Sequence, residues 1–145
     1  MTNFDWVAWC VGVFDCRGTI GMSRARSGRY KMMVRAEGTC REKIERLQLI
    51  LGKGTGTVRQ CGPRPGKQPS WIWYCETSEQ VRILRLMEPH LEEKRHDARL
   101  ALEFLENHDL TSTQQDSIYQ ALQRSKPKLR NRHRQSAKVI EMRRA

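Results

Sequence analysis

Several basic side chains share one parity in the segment 29–37, early in the chain. Arg29, Lys31 and Arg35 alternate with apolar residues. A period of two places alternate side chains on opposite faces of a β-strand, so these basic groups are expected to share one face. Guanidinium and ammonium groups at this spacing can contact phosphates or guanine edges, and the sequence alone does not separate the two modes. The segment predicts a strand that binds nucleic acid.

Further basic and aromatic residues extend this candidate surface into neighbouring strand-like segments. The full set of predicted DNA contacts comprises Arg24, Arg26, Arg29, Lys31, Arg35, Arg59 and Tyr74. Trp71 and Trp73 have the opposite parity to Tyr74 and are predicted to lie in the core rather than to stack on bases. The outward positions of the first strand, Gly21, Ser23 and Ala25, are small. Such positions read bases poorly, which indicates weak or altered specificity.

The charge distribution supports a polyanionic partner. The chain has 27 Lys and Arg against 16 Asp and Glu, a net charge of +11. Residues 1–75 carry 13 basic and 5 acidic residues, residues 76–109 are net acidic, and residues 125–145 carry 8 basic residues and 1 acidic residue. Two separate basic segments are the charge pattern expected of a nucleic-acid-binding protein.

The composition also argues against several classes of protein. No apolar run approaches the roughly 20 residues that a membrane span needs. The first ten residues lack the basic start and cleavage site of a secretory signal, which predicts a cytoplasmic protein that is not secreted. The five cysteines include no CxxC pair, so reduced thiols are expected rather than a zinc site.

The elements that must position the basic strand can be outlined from the same patterns. Residues 4–14 are apolar almost all round, which predicts a buried helix or a strand, and a helix is favoured. A helix without a polar face must be covered on every side, for example by a second copy of the chain. The predicted order is then a hairpin at 19–37, a helix at 41–51 and a second hairpin formed by 55–61 and 70–76. Helices are expected at 78–88, 91–107 and from the Thr111–Thr113 stretch to Leu122, followed by a basic tail after Pro127. This order predicts an α+β fold with an antiparallel sheet.

The segment 10–20, CVGVFDCRGTI, resembles the motif of the LAGLIDADG homing endonucleases. The positions that fit the motif are Gly12, Asp15, Gly18, Thr19 and Ile20. LGKGTGTV at 51–58 is similar to the turn into the third strand of that family, and the stretch 86–106 is similar to its proline, lysine-arginine and long helix. The resemblance covers about residues 4–107. It implies an αββαββα core at 1–109, with an antiparallel sheet forming a DNA-binding saddle, and a C-terminal helical extension with a basic tail at 110–145.

The resemblance implies specific roles for several residues. A chain with one such motif is expected to be an intron-encoded homodimer packed through the motif helices, which places Trp9, Gly12 and Val13 at the interface. Lys94 matches the family's basic residue near the scissile phosphate, with a solvated lysine as the alternative. Glu37 and Thr39 are the nearest candidates for the polar residue that organises active-site water.

One departure from the motif concerns catalysis. The family's second acidic residue binds divalent metal, and Arg17 occupies its position here. A guanidinium cannot ligate Mg²⁺ and would repel it, whereas two-metal cleavage needs anionic oxygen ligands. Arg17 could instead contact phosphate. Asp15 remains as a weak catalytic candidate, with a capping or packing carboxylate as the alternative, so no metal ligand is predicted with assurance.

Three interpretations follow from the resemblance. The chain is an active, Mg²⁺-dependent site-specific endonuclease, or a DNA-binding protein on that scaffold whose cleavage is impaired, or one half of a heterodimer whose partner supplies the acid. An RNA-binding splicing helper is a fourth use of the scaffold. Sequence-directed binding of double-stranded DNA with impaired cleavage is the favoured function. An organellar matrix or nucleoid is the alternative location if the host is eukaryotic.

Overall fold

The structure, a computed structural model, describes residues 4–62 and 65–125. The predicted basic tail from residue 126 onward lies outside these residues. The elements, in chain order, are α1 (Trp6–Arg17), β1 (Gly18–Arg24), β2 (Tyr30–Gly38), α2 (Arg41–Ile50), β3 (Thr57–Gln60), β4 (Trp71–Tyr74), α3 (Gln80–Met87), α4 (Arg95–Glu106) and α5 (112–125). The α+β class and the αββαββα order of the core are confirmed.

The four strands form one antiparallel sheet in the order β1-β2-β4-β3. The alternation predicted for the second strand is confirmed, because Met32, Val34 and Ala36 are buried whereas Lys31 is exposed. Trp73 is fully buried and Trp71 packs against the same core. The sheet therefore has an inner face covered by helices and an outer face of the opposite parity.

The core lies between the inner face and the helices. Its fully buried side chains include Phe14 of α1, Leu47 of α2 and Leu84 of α3, together with Trp73 of the sheet. Leu122 of α5 is also buried in this cluster, so part of the region predicted as a C-terminal extension packs on the core. Among the described residues no helix is long and apolar enough to cross a membrane.

The first helix begins and ends later than expected. The interval 4–14 was predicted, but α1 spans Trp6–Arg17, since the Asp5 carboxylate caps its start by accepting the amide of Ala8 at 3.0 Å. A Cβ on Gly18 would lie 2.5 Å from the carbonyl oxygen of Phe14. Only glycine allows the chain to turn from α1 directly into β1, and this turn fixes where Arg17 lies.

Other boundaries also differ from the sequence-based intervals. The helix predicted at 91–107 begins only at Arg95, because residues 92–94 form a loop that binds a carboxylate of α1. The helix predicted at 78–88 is an α-helix only over Gln80–Met87, with 3₁₀ turns on both sides, the second of which contains Pro89. The second hairpin pairs over four residues on each strand. The Thr111 cap is confirmed, since its hydroxyl accepts the amide of Gln114 at 3.2 Å.

Candidate nucleic-acid interface and central groove

Arg35 lies at the centre of the outer face of the sheet. Its partner on β1 is Thr19 and its partner on β4 is Tyr74, which in turn pairs with Thr57 on β3. Directly paired residues project on the same face of an antiparallel sheet. These four side chains therefore form one row across the full width of the sheet, with a guanidinium in the middle.

Two further cations flank this row. Lys31 pairs with Ser23 and is exposed towards the distal end of the hairpin. Arg59 is exposed on β3 and pairs with Ile72, whose partner on β2 is Glu37. The predicted contacts Lys31, Arg35 and Arg59 thus share the uncovered face. A positively charged, twisted antiparallel ribbon has a shape that the DNA major groove can admit.

The remaining predicted arginines do not all belong to this face. Arg24 pairs with Tyr30 and has the parity of the core residues, and its guanidinium carbon lies 5.6 Å from the centroid of the Tyr30 ring. Arg26 and Arg29 lie in the exposed turn between β1 and β2, where Gly28 adopts a left-handed conformation with φ of 85°. They extend the basic surface beyond the strands rather than along them.

An open groove of about 610 Å³ lies beside the end of α1. It brings together four residues that the sequence singled out separately, and these are Arg17, Glu37, Thr39 and Lys94. Arg17 is exposed, as the last residue of α1. Asp97 of α4 also lines the groove and was not predicted, because it becomes relevant only once α4 is packed beside β1. The groove therefore holds groups of both charges.

Glu37 is held by two donors that the sequence did not indicate. The Ser70 hydroxyl donates to its Oε1 at 3.0 Å, and the Cys61 thiol lies 3.6 Å from the same oxygen. Both partners lie in β-hairpin positions next to the proline-rich loop, more than 20 residues away in sequence. Their contact with Glu37 depends on the pairing of β4 with β2.

The carboxylate of Asp15 is hydrogen-bonded to main-chain amides of another segment. It accepts hydrogen bonds from the amides of Glu92, Glu93 and Lys94 at 3.0–3.2 Å. Partial burial works to raise the pKa of Asp15, but these three amides and the charge of Lys94 outweigh it and hold the pKa below the ordinary value. Both oxygens thus join α1 to the loop before α4. The geometry supports a structural role for Asp15, in which its carboxylate caps main-chain amides, rather than a catalytic role.

The Lys94 ammonium also contacts the end of α1. Its Nζ donates to the main-chain carbonyl of Asp15, close to the C-terminus of the helix, where a cation is favoured by the helix dipole. Lys94 nevertheless lines the groove beside Arg17. The hydrogen bond to the Asp15 carbonyl therefore holds the Lys94 ammonium at the groove, and this group is not freely solvated.

Solved structures share this architecture. The chain is similar to the homing endonuclease I-CvuI in complex with the I-CreI target, with 23% identity, a TM-score of 0.54, and coverage of 80% of this chain and 74% of that one. It is also similar to the archaeal intron-encoded homing endonuclease I-Vdi141I complexed with DNA, with 12% identity, a TM-score of 0.61 and 82% coverage of both chains. The fold is that of the LAGLIDADG homing endonucleases.

A third structure with this fold is the intron-encoded homing endonuclease I-CeuI complexed with DNA. Its identity to the chain is 13% and its TM-score 0.54, and the similarity covers 73% of this chain and 56% of that one. No family model matches the sequence, and no curated protein matches it significantly. The relation of this chain to other proteins is therefore seen in its three-dimensional fold.

Helix α1 exposes an apolar surface. Phe4 and Trp6 are 60% and 44% exposed, and Arg46 of α2 stacks over the ring of Trp6 at 5.0 Å. Trp9 and Val13 are half-buried and Gly12 is exposed. A Cβ on Gly12 would meet nothing within 4 Å, so packing within one chain does not require glycine there.

The side chains described in the structure do not form a cation site within one chain. The structure shows no group of three or more His, Cys, Asp or Glu able to hold a metal ion among residues 4–62 and 65–125. The one carboxylate in the motif, Asp15, is saturated by three amides, and the neighbouring groove carries the Arg17 guanidinium. The fold of these endonucleases is present, but the motif segment itself does not fit the Mg²⁺ that the resemblance implied. The carboxylates that line the groove are Glu37, Glu93 and Asp97, which lie outside the motif.

Proposed function

We propose that this protein binds double-stranded DNA in a sequence-directed manner through the outer face of its sheet. The observation that carries the proposal is the uncovered row centred on Arg35, flanked by Lys31 and Arg59. The solved structures with the same fold are DNA complexes, which supports binding of double-stranded DNA here. The excess of 27 basic residues over 16 acidic ones favours association with a polyanion.

The protein is proposed to cleave DNA poorly or not at all. Arg17 occupies the position that the resemblance assigns to the metal-binding acid, and its guanidinium is a hydrogen-bond donor without acceptor capacity. Asp15 cannot replace the missing ligand without releasing the loop at 92–94. Arg17 and Lys94, both at the groove, are suited to contact the phosphate backbone of bound DNA.

We further propose that two copies associate through α1. The exposed Gly12, with Trp9 and Val13 beside it, forms a surface that allows the close approach of a second helix. Large aromatic side chains exposed at the start of the same helix add apolar area that association would bury. A symmetric pair would place two sheets side by side, so that each copy contacts one half of a DNA site.

Selection from a library of randomised duplexes, followed by a cleavage assay with Mg²⁺ or Mn²⁺, tests the proposal. We expect enrichment of a defined site and no cleavage of that site by the wild type. Arg17→Asp is expected to gain cleavage if the acid is the missing group, and Arg17→Asn serves as a charge-removal control that supplies no carboxylate. Cleavage by the wild-type protein alone would show instead that it is an active endonuclease. Cleavage that requires a second, different subunit would establish the heterodimer interpretation.

A further inference from the structure

The distal half of the β1–β2 hairpin projects beyond the rest of the sheet. Pairing between β4 and β2 covers only Arg35 to Gly38, with one further hydrogen bond from the Cys75 amide to the Val34 carbonyl at 2.9 Å. Residues 30–33 pair with β1 alone. An isolated two-stranded ribbon is marginally stable in water, so this basic segment needs support from outside the sheet.

Helix α5 supplies that support on both strands. The Tyr30 hydroxyl donates to Asp116 Oδ1 at 2.7 Å, and the Tyr30 ring lies 5.3 Å from the ring of Tyr119. On the other strand, the Gln123 amide donates to the Met22 carbonyl at 3.3 Å. α3 adds one contact, from the Gln80 side chain to the Met32 carbonyl. Helix α5 therefore contacts the distal hairpin on both of its strands.

The contact between α5 and the hairpin extends to a basic group. Asp116 accepts a hydrogen bond from the Tyr30 hydroxyl, and Arg24, on the opposite strand, stacks over the Tyr30 ring at 5.6 Å. The hydrogen bond to Asp116 and partial burial raise the pKa of Tyr30, although the charge of Arg24 opposes them. Tyr30 thus remains a protonated donor at neutral pH, and its ring sets the position of the Arg24 guanidinium.

We propose that Tyr30, Asp116 and Tyr119 are positioning residues that set the angle of the distal hairpin, and thereby its discrimination of the base pairs beneath its tip. The inference rests on the proposed binding of DNA by the sheet. Base pairs that face the row centred on Arg35 would be contacted by the part of the sheet in which all four strands pair. The position of that part of the sheet does not depend on α5. Loss of the Tyr30 contact should therefore affect the outer positions of a site and spare the inner ones.

The test compares base preferences position by position for wild type, Tyr30→Phe and Asp116→Ala, using selection from randomised duplexes. Tyr30→Phe removes the hydroxyl donor and keeps the ring, whereas Asp116→Ala removes the acceptor, so each variant loses the Tyr30–Asp116 hydrogen bond. We expect discrimination at the outer positions to fall about fivefold, the factor that a single net hydrogen bond provides, with inner positions unchanged. Glu106→Gln is the matched control. It disrupts the 2.7 Å ion pair between Glu106 of α4 and Arg85 of α3, which involves no residue of the hairpin.

A second readout needs no DNA. Limited trypsin digestion should cut at Arg26 and Arg29 faster in Tyr30→Phe and Asp116→Ala than in wild type or Glu106→Gln, since a less supported hairpin opens more often. A uniform loss of discrimination across the site, or none, would overturn the positioning role while leaving DNA binding intact. A wild-type protein that binds no duplex would overturn the proposed function, and the trypsin result would then decide only whether α5 supports the hairpin.

Discussion

The role of Asp15 can be tested by removing its carboxylate. The structure gives that group three amide donors, whereas Asp5, the cap of α1, has one at 3.0 Å. An ordinary capping side chain is worth about 1 kcal/mol. Because Asp15 also joins two elements distant in sequence, we expect Asp15→Ala to lower the free energy of unfolding by about 2 kcal/mol and Asp5→Ala by about 1 kcal/mol.

Thermal unfolding followed by circular dichroism measures both effects. A loss of about 2 kcal/mol in a chain of this size corresponds to a fall in Tm of about 8 °C, and the Asp5 control should fall by about half as much. Asp15→Asn should recover part of the loss, since an amide oxygen can still accept one or two of the amides. If Asp15→Ala unfolds like wild type but changes Mg²⁺-dependent behaviour, then Asp15 is a metal ligand and the structural interpretation is wrong.

Three further predictions follow from the described contacts. The stability difference between wild type and Asp15→Ala should be largest at neutral pH and should shrink in acid unfolding experiments as the pH falls through and below the ordinary carboxyl range, because the folded pKa of Asp15 is lowered. A difference that stays constant as the pH falls would contradict this. Gly12→Val should leave the monomer folded but weaken self-association in sedimentation experiments, whereas Gly18→Val should prevent folding; equal effects would contradict the proposed interface. Burial raises the pKa of the Cys75 thiol to about 12. A thiol reagent at pH 8 should therefore label the exposed Cys16 and leave Cys75 unmodified until the protein unfolds. Fast labelling of Cys75 in the native state would contradict its burial.

The proposed DNA-binding face of the sheet was largely predictable because it depends on local periodicity. The alternation around Lys31 and Arg35 fixes which side chains face outward once a strand is assumed, and the burial pattern confirms it. The parity of Arg24 follows from the same rule, but its stacking on Tyr30 depends on the exact position of the turn. Periodicity thus identified the face but not the arrangement of its tip.

The features that were missed depend on contacts between distant segments. The Tyr30–Asp116 hydrogen bond joins residues 86 apart, and the amides that bind Asp15 lie 77–79 residues beyond it. No local pattern identifies such partners. The late start of α4 at Arg95 has the same origin, since the apolar spacing continues through Leu91 but tertiary hydrogen bonds to Asp15 keep residues 92–94 out of the helix.

The central claim is that the outer face of the sheet binds DNA, and salt-dependent affinity tests it most directly. Binding of a selected duplex should be measured between 50 and 200 mM salt for wild type and for the triple variant Lys31→Ala, Arg35→Ala, Arg59→Ala. The control is the charge-matched triple variant Arg41→Ala, Arg85→Ala, Arg99→Ala, whose arginines form exposed ion pairs on helices.

Each lost phosphate contact lowers the slope of log affinity against log salt by about 0.9. We therefore expect the sheet variant to bind roughly 100-fold more weakly or worse, with a slope smaller by up to about 3, while the control variant stays close to wild type. Equal losses in both variants would show that binding follows net charge alone. Wild-type affinity in the sheet variant would show that the DNA surface lies elsewhere.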